Sequence, residues 1–212
     1  VNLPLIKKVA ETMKPVILSC GMSNVGQVED AINTIYSTGN NKVILLHCNS
    51  SYPADPEDMN LKVIETLKKN FRVPVGLSDH TFGIFVSQLA ITLGANIVER
   101  HFTKNRMMEG PDHILSSNFD EMQKLVKSSF QIPKILGNGI KKIQPNEYLT
   151  LNTQRKSLYA RKNIKKGEVI KKDMLSIKGP GGGILPKYID IVIGRKAKLK
   201  INKDNPIMWK LI

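Results

Sequence analysis

Apolar positions along the first two-thirds of the chain follow two alternating patterns. Residues 15–20, 42–48, 73–77 and 96–102 are short, nearly continuous apolar runs of strand length. Between and after them the spacing becomes helical. Residues 27–37 carry Val28, Ala31, Ile32 and Ile35 on one side, and residues 58–70 carry Leu61, Ile64 and Leu67; residues 83–93 and 119–132 complete the series. Four βα units in succession predict a parallel sheet with both faces covered. Such a sheet is either an open, doubly wound one or part of a (β/α)8 barrel, of which four units make half.

After residue 136 the pattern changes. A polar connector, residues 137–153, leads into a tail, residues 154–212, of short alternating segments separated by turn signals. These are Lys165-Lys166-Gly167-Glu168, Gly179-Pro180-Gly181-Gly182-Gly183 and Lys203-Asp204-Asn205-Pro206. Apolar pieces at 191–193 and 197–201 are strand-sized, so a small, mostly β domain is expected there.

Charge divides the chain in the same place. The net charge is +14, and residues 155–212 hold 16 Lys or Arg against 4 Asp or Glu, while residues 1–154 hold the other 16 against 14. A basic tail fits a polyanion partner or a solvated lysine-rich surface. No aromatics are interleaved with these cations along the sequence, so the solvated surface is the expectation and nucleic acid is not expected as a partner. No apolar run approaches the ~18 residues of a membrane span. The start, Val1-Asn2-Leu3-Pro4, lacks the features of a signal peptide, and the absence of an initial Met points to a fragment or a processed start. Two cysteines, Cys20 and Cys48, make no disulfide framework, and a reduced, cytoplasmic setting is expected.

Polar residues gather where all four strands end, which is the ligand edge in either architecture. His80 and His101 each lie just past a strand, in neighbouring units. They read as ligands of a borderline divalent metal with open positions, or as a structural pair. Asp79 and Asp112 are carboxylates suited to acid–base work or to orienting a hydroxyl, or are loop aspartates bonding their own backbone. Ser19, Ser78 and Thr81 would hold a phosphate or cap helices. Ser50 and Tyr52 lie on a rim loop where Tyr52 could touch a substrate. Cys48 reads as a small buried residue. Gly181-Gly182-Gly183 has no P-loop spacing around it and is a weak phosphate signal.

Several of these segments also resemble one family. Lys14-Pro15-Val16-Ile17-Leu18-Ser19-Cys20-Gly21-Met22 is similar to the KPVILSTGM strand of bacterial sialic acid (nonulosonate) synthases. Leu46-His47-Cys48, Tyr52-Pro53 and Glu57-Asp58-Met59-Asn60-Leu61 resemble its LHC, YP and EDxNL pieces. Gly76-Leu77-Ser78-Asp79-His80-Thr81 reads GLSDHT. Glu99-Arg100-His101-Phe102-Thr103 and Gly110-Pro111-Asp112-His113 resemble E(K/R)HFT and GPDH. The tail resembles the antifreeze-like (SAF, β-clip) domain that closes these enzymes.

The resemblance implies the C-terminal half of a TIM barrel, strands five to eight, followed by that small domain. It implies condensation of phosphoenolpyruvate with an N-acylated amino sugar, N-acetylmannosamine or a diacetamido-trideoxyhexose, with release of phosphate. His80 and His101 would ligate Mn2+ or Mg2+ and, with Asp112, form the catalytic group. Ser19 and Ser78 would help hold phosphoenolpyruvate, and Ser50 and Tyr52 would line the substrate site. The partner implied is a second copy, in a domain-swapped homodimer. Three departures qualify this. Nothing corresponds to the first four strands with their glutamates and lysines, so the chain alone is expected to be inactive. Gly179 stands where the family often has an arginine reaching the partner's substrate. Ile114-Leu115-Ser116-Ser117 replaces KASL, which points toward a legionaminic- or pseudaminic-type acceptor. The rival readings are another phosphoenolpyruvate-dependent 3-deoxy-sugar-acid synthase and a non-enzymatic polyanion-binding protein.

Overall fold

The structure is a computed structural model that describes residues 2–212. It divides into two compact units, residues 1–139 and 140–212. The first unit is built on a parallel sheet of β1 (Val16–Ser19), β2 (Val43–Cys48), β3 (Val75–Asp79) and β4 (Val98–Arg100), in the spatial order 1-2-3-4. Helices α2 (Val25–Tyr36), α3 (Val63–Phe71) and α4 (Phe85–Thr92) connect these strands. Helix α1 (Leu3–Ala10) precedes them and α5 (Phe119–Leu136) follows.

The monotonic order decides between the two architectures. Right-handed crossovers that always step the same way place every connecting helix on the same face. A doubly wound sheet would need a reversal, and these four strands have none. The sheet is half a barrel, and its core lies on one face only. Val16, Val43, Leu45, Val75 and Leu77 pack there against Val28, Ile32, Ile35, Ile64, Leu67 and Val86. The other face is covered in part: Leu46, Cys48 and Ser78 are buried there, while Ile17, on the same face, is 54% exposed and Ser19 and Glu99 are exposed. Close approach of β3 and β4 explains Gly76, where a Cβ would stand 2.3 Å from the carbonyl oxygen of Ile97.

Local sequence sets the element ends. Asn24 and Gln27 form a capping box at α2, and Asn118 and Glu121 form another at α5. The helix expected over 58–70 is interrupted: a 3-10 turn, Pro56–Met59, ends at Asn60 in the left-handed region (φ 40°) before α3 begins. Helix α1 carried too short a repeat to stand out in the sequence.

A buried ion pair ties the ends of β3 and β4. Asp79 and Arg100 are register partners on the helix-facing side. Their side chains are 0% and 1% exposed, with Nη1 of Arg100 donating to Oδ2 of Asp79 at 2.5 Å. Asp79 also accepts from the Thr81 backbone N–H and hydroxyl and from Ser87, and Arg100 donates to the Thr81 carbonyl and Ser117. No buried side-chain polar atom among the described residues lacks a partner.

The second unit holds a two-stranded antiparallel ladder, β5 (Ser157–Ala160) with β6 (Leu175–Lys178), and isolated bridges such as Ile164–Ile201 and Val169–Lys196. Two expected strands are corrected. Residues 191–193 fall in and after a helical turn, α7 (Ile189–Val192), and residues 197–201 form no continuous strand, only a single bridge at Ile201 and scattered backbone hydrogen bonds. The connector of 137–153 is not featureless, because α6 (Tyr148–Gln154) occupies its end. Twelve buried apolar residues, including Leu158, Ile164, Ile170, Ile201 and Ile207, form this unit's own core. No helix among the described residues is long and apolar enough to cross a membrane.

Breaking the buried pair on one side tests this account. Arg100→Leu leaves Asp79 charged and uncompensated and is expected to cost about 3–5 kcal/mol in urea unfolding. The Asp79→Leu/Arg100→Leu double variant should lose less than Arg100→Leu alone. A double variant at least as unstable as the single one would show that the pair is not what holds these strand ends.

Candidate active site

Side chains at successive positions of a strand point to opposite faces, so residues two apart share one. Register places Cys48, Ser78 and Glu99 in one row across β2, β3 and β4. One pleat further along the same face lie Ser50, His80 and His101. The rim is therefore two rows of polar side chains, on the face opposite Asp79 and Arg100.

In the first row the Ser78 hydroxyl donates to Oε1 of Glu99 at 2.8 Å. In the second, the rings of His80 and His101 lie edge to face with centroids 5.3 Å apart. Tyr52 lies against both, 4.2 Å from His80 and 5.8 Å from His101. His80 is buried, and its Nδ1 is 2.9 Å from the carbonyl oxygen of Asn49. A carbonyl can only accept, so this nitrogen carries the proton, and in the neutral ring Nε2 holds the lone pair. Nδ1 of His101 lies 3.7 Å from Oδ2 of Asp112, which favours the same tautomer. Asp112 reaches that place because the loop after β4 returns: Ser117 donates its backbone N–H to the His101 carbonyl, and Thr103 donates to Ser117.

Ser50 joins the group through Cys48, whose sulfur is 3.7 Å from its hydroxyl and 3.9 Å from His80 Nδ1. Glycine at position 21 makes room for it, since a Cβ there would fall 2.1 Å from Ser50 Oγ. Ser19 stands apart. It ends β1, two strands from β3, beside a cavity of about 210 Å3 between α1 and α2. Of the residues singled out, His80, His101, Tyr52, Asp112, Ser50 and Ser78 converge on one face and Ser19 lies at its far side. Asp79 belongs to the buried ion pair. Glu99 went unread in the sequence; its place two residues before His101 in a strand was the signal.

Two imidazoles, one with Nδ1 bonded to a carbonyl and one with Nδ1 facing a carboxylate at 3.7 Å, leave their Nε2 atoms as a donor set that suits a divalent metal. No group of three or more His, Cys, Asp or Glu side chains with metal-holding geometry exists among the described residues. Cys20, packed in the hydrophobic cluster just past the end of β1, differs from a nucleophile. Burial, and secondarily the neighbouring Cys48, push the Cys20 thiol up to about 11.

The class defined by this geometry is a parallel half-barrel with a polar, imidazole-bearing rim at the strand ends, followed by a small basic domain. Residues 1–141 match the NeuB family and residues 155–212 match the SAF domain, and the chain belongs to the NeuB family. It is 46% identical over 206 residues to an uncharacterised protein of Methanocaldococcus jannaschii, covering 97% of this chain and 61% of that one. It is 41% identical over 208 residues to an N,N'-diacetyllegionaminic acid synthase of Campylobacter jejuni, covering 97% and 62%. Among solved structures, an N-acetylneuraminic acid (sialic acid) synthetase of Leptospira borgpetersenii in complex with citrate superposes with a TM-score of 0.64 at 38% identity, over 71% of this chain and 52% of that one. The chain thus spans about three-fifths of the length of the curated relatives it matches.

A thiol with its pKa near 11 is protonated throughout the neutral range, and its thiolate appears only as pH rises toward that value. Alkylation of Cys20 in the folded chain by iodoacetamide, followed by peptide mass spectrometry, should be negligible at pH 7–8 and rise steeply above pH 10. Rapid modification at neutral pH would contradict this placement.

Proposed function

We propose that this chain is the imidazole-bearing half of a nonulosonic acid synthase that condenses phosphoenolpyruvate with an N-acylated amino sugar. The observation that carries the reading is the His80–His101 pair at adjacent strand ends, with Nδ1 of one on a carbonyl and Nδ1 of the other facing a carboxylate. The named synthases among the relatives support it. The SAF match favours it over other phosphoenolpyruvate-dependent 3-deoxy-sugar-acid synthases.

In the reaction proposed, C3 of phosphoenolpyruvate attacks the aldehyde carbon of the open-chain sugar, and a C–C bond forms. Water adds at C2, and the phosphate leaves by cleavage of its bond to that carbon. Nε2 of His80 and of His101 would hold Mn2+ or Mg2+, whose chemistry when bound is to polarise the aldehyde oxygen. The Asn49 carbonyl would orient the His80 ring, and Asp112 would steer that of His101. Ser78, with Ser19 from the far side, would bind phosphoenolpyruvate. Tyr52, Ser50 and Asp112 would contact the sugar, with Asp112 placed to take or give a proton at a hydroxyl. Asp79 has no such role, because its acceptor capacity is spent on Thr81, Ser87 and Arg100. A diacetamido-trideoxyhexose is the acceptor we favour, on the departure at 114–117 and the legionaminic acid synthase relative. The glycine at 179 is not forced by the backbone, since a Cβ there would lie 3.7 Å from the Lys156 ammonium and meet nothing closer. A homodimer and a cytoplasmic setting belong to the same proposal.

The test uses a chain extended upstream by the strands that complete a barrel. Phosphate release from phosphoenolpyruvate with Mn2+ should depend on one sugar from a panel of N-acylated hexoses and vanish in His80→Ala. Residues 1–212 alone should give no turnover yet bind Mn2+, followed by the loss of its free-ion paramagnetic resonance signal. His80→Ala should abolish that binding, and Asp112→Asn should weaken it about 10- to 100-fold. Mn2+ affinity unchanged in His80→Ala would sink the assignment of the pair.

A further inference from the structure

Outside the rim, the feature that stands out is on the second unit. Residues 140–212 carry 18 Lys or Arg against 5 Asp or Glu, a net +13. Two side-chain ion pairs, Lys162–Asp173 and Lys178–Asp204, offset a small part of it among the described residues.

On this surface the fold gathers two aromatic rings from distant parts of the sequence. Tyr188 and Trp209 meet edge to face with centroids 5.7 Å apart. Each ring carries a cation: the Lys187 ammonium is 4.8 Å from the centre of the Tyr188 ring, and the Arg195 guanidinium is 5.4 Å from that of Trp209. Trp209 is 44% exposed, and Lys187, Arg195 and Lys210 are exposed. The arrangement is held by backbone and not by chance contact. The Lys198 N–H donates to the Leu211 carbonyl at 2.8 Å, which lays the segment after Arg195 beside Trp209. Nε of Arg195 donates to the Ile191 carbonyl at 3.1 Å, which fixes the guanidinium. Asp190, exposed two residues from Tyr188, is the nearest carboxylate in the sequence.

We propose that this face binds single-stranded nucleic acid, with phosphates against Lys187, Arg195, Lys198 and Lys210 and bases stacked on Tyr188 and Trp209. One small anion would be satisfied by one or two cations. An excess of thirteen positive charges, spread over one small unit, matches a polyvalent strand. An exposed indole beside a half-buried phenol ring, each flanked by a cation, adds what a plain basic surface lacks, a platform for flat bases. An acidic polysaccharide shares the charge but offers no base to stack. This inference is independent of the synthase reading.

Trp209 is the chain's one tryptophan, so its emission reports on this face alone. The whole chain is titrated with a short uridine oligomer, with polyphosphate and heparin as base-free anions. The oligomer is expected to quench Trp209, to bind at least about tenfold more tightly than base-free anions per unit charge, and to weaken with salt by a log–log slope of about −0.7 per phosphate engaged. Tyr188→Ala should weaken it about tenfold. Should that variant not fold, Trp209→Leu, followed by anisotropy of a labelled oligomer, replaces it. The Lys187→Gln/Arg195→Gln variant should flatten the salt slope. Equal affinity for base-free anions, binding without quenching, or no binding in moderate salt would each overturn the proposal. Tighter binding and quenching by heparin would overturn it in favour of an acidic sugar polymer.

Discussion

The ion pair between Asp79 and Arg100 is the constraint on which the rim depends. Both groups sit in the helix-facing layer with almost no solvent contact. Taking two charges out of water is costly, and the cost is recovered only if every remaining donor and acceptor is placed. Here Thr81, Ser87 and Ser117 complete the set. The result fixes the ends of β3 and β4 relative to each other and to α4. His80 follows Asp79 and His101 follows Arg100, so the separation of the two imidazoles is inherited from the ion pair beneath them.

Strand alternation lets one short sequence carry both layers. Ser78 and His80 face the rim while Asp79 between them faces the helices, and Glu99 and His101 flank Arg100 in the same way. A register slip of one residue would turn Ser78 and Glu99 toward the helices and the ion pair toward the rim, so the desolvated pair also fixes the register. Gly76 contributes from below, where only a hydrogen fits against Ile97. Stability and chemistry are thus separated by pleat parity, not by distance along the chain.

Much of this was legible in the sequence. The four strands and the helices between them follow from continuous apolar runs and helical spacing, and both histidines stood out because they end strands. Two kinds of feature were hidden. One is which way a residue faces: Asp79 looked like a rim carboxylate and Glu99 like an unremarkable strand residue until the register was known. The other is any grouping made by the irregular second unit. Ile191-Val192-Ile193 has the composition of a strand, yet it makes a helical turn because tertiary contacts, not propensity, decide so short a piece. Nothing in the sequence singled out Tyr188 and Trp209 as a pair, because no periodicity links positions that far apart.

The second unit also shows how a strongly charged surface is tolerated. Its ladder is only two strands, and the remaining backbone is joined by single bridges and turns. Cooperativity therefore rests on the aliphatic cluster of Leu158, Ile164, Ile170, Ile201 and Ile207, all essentially without solvent contact. That core involves none of the lysines, so repulsion among them acts across high-dielectric solvent and is screened by salt. Side chains outside a core are free to be selected for what they meet in solution. The same reasoning explains why the cations over Tyr188 and Trp209 are informative where the other lysines are not. A solvated surface has no need to hold a guanidinium against an indole, and here a backbone carbonyl keeps it there.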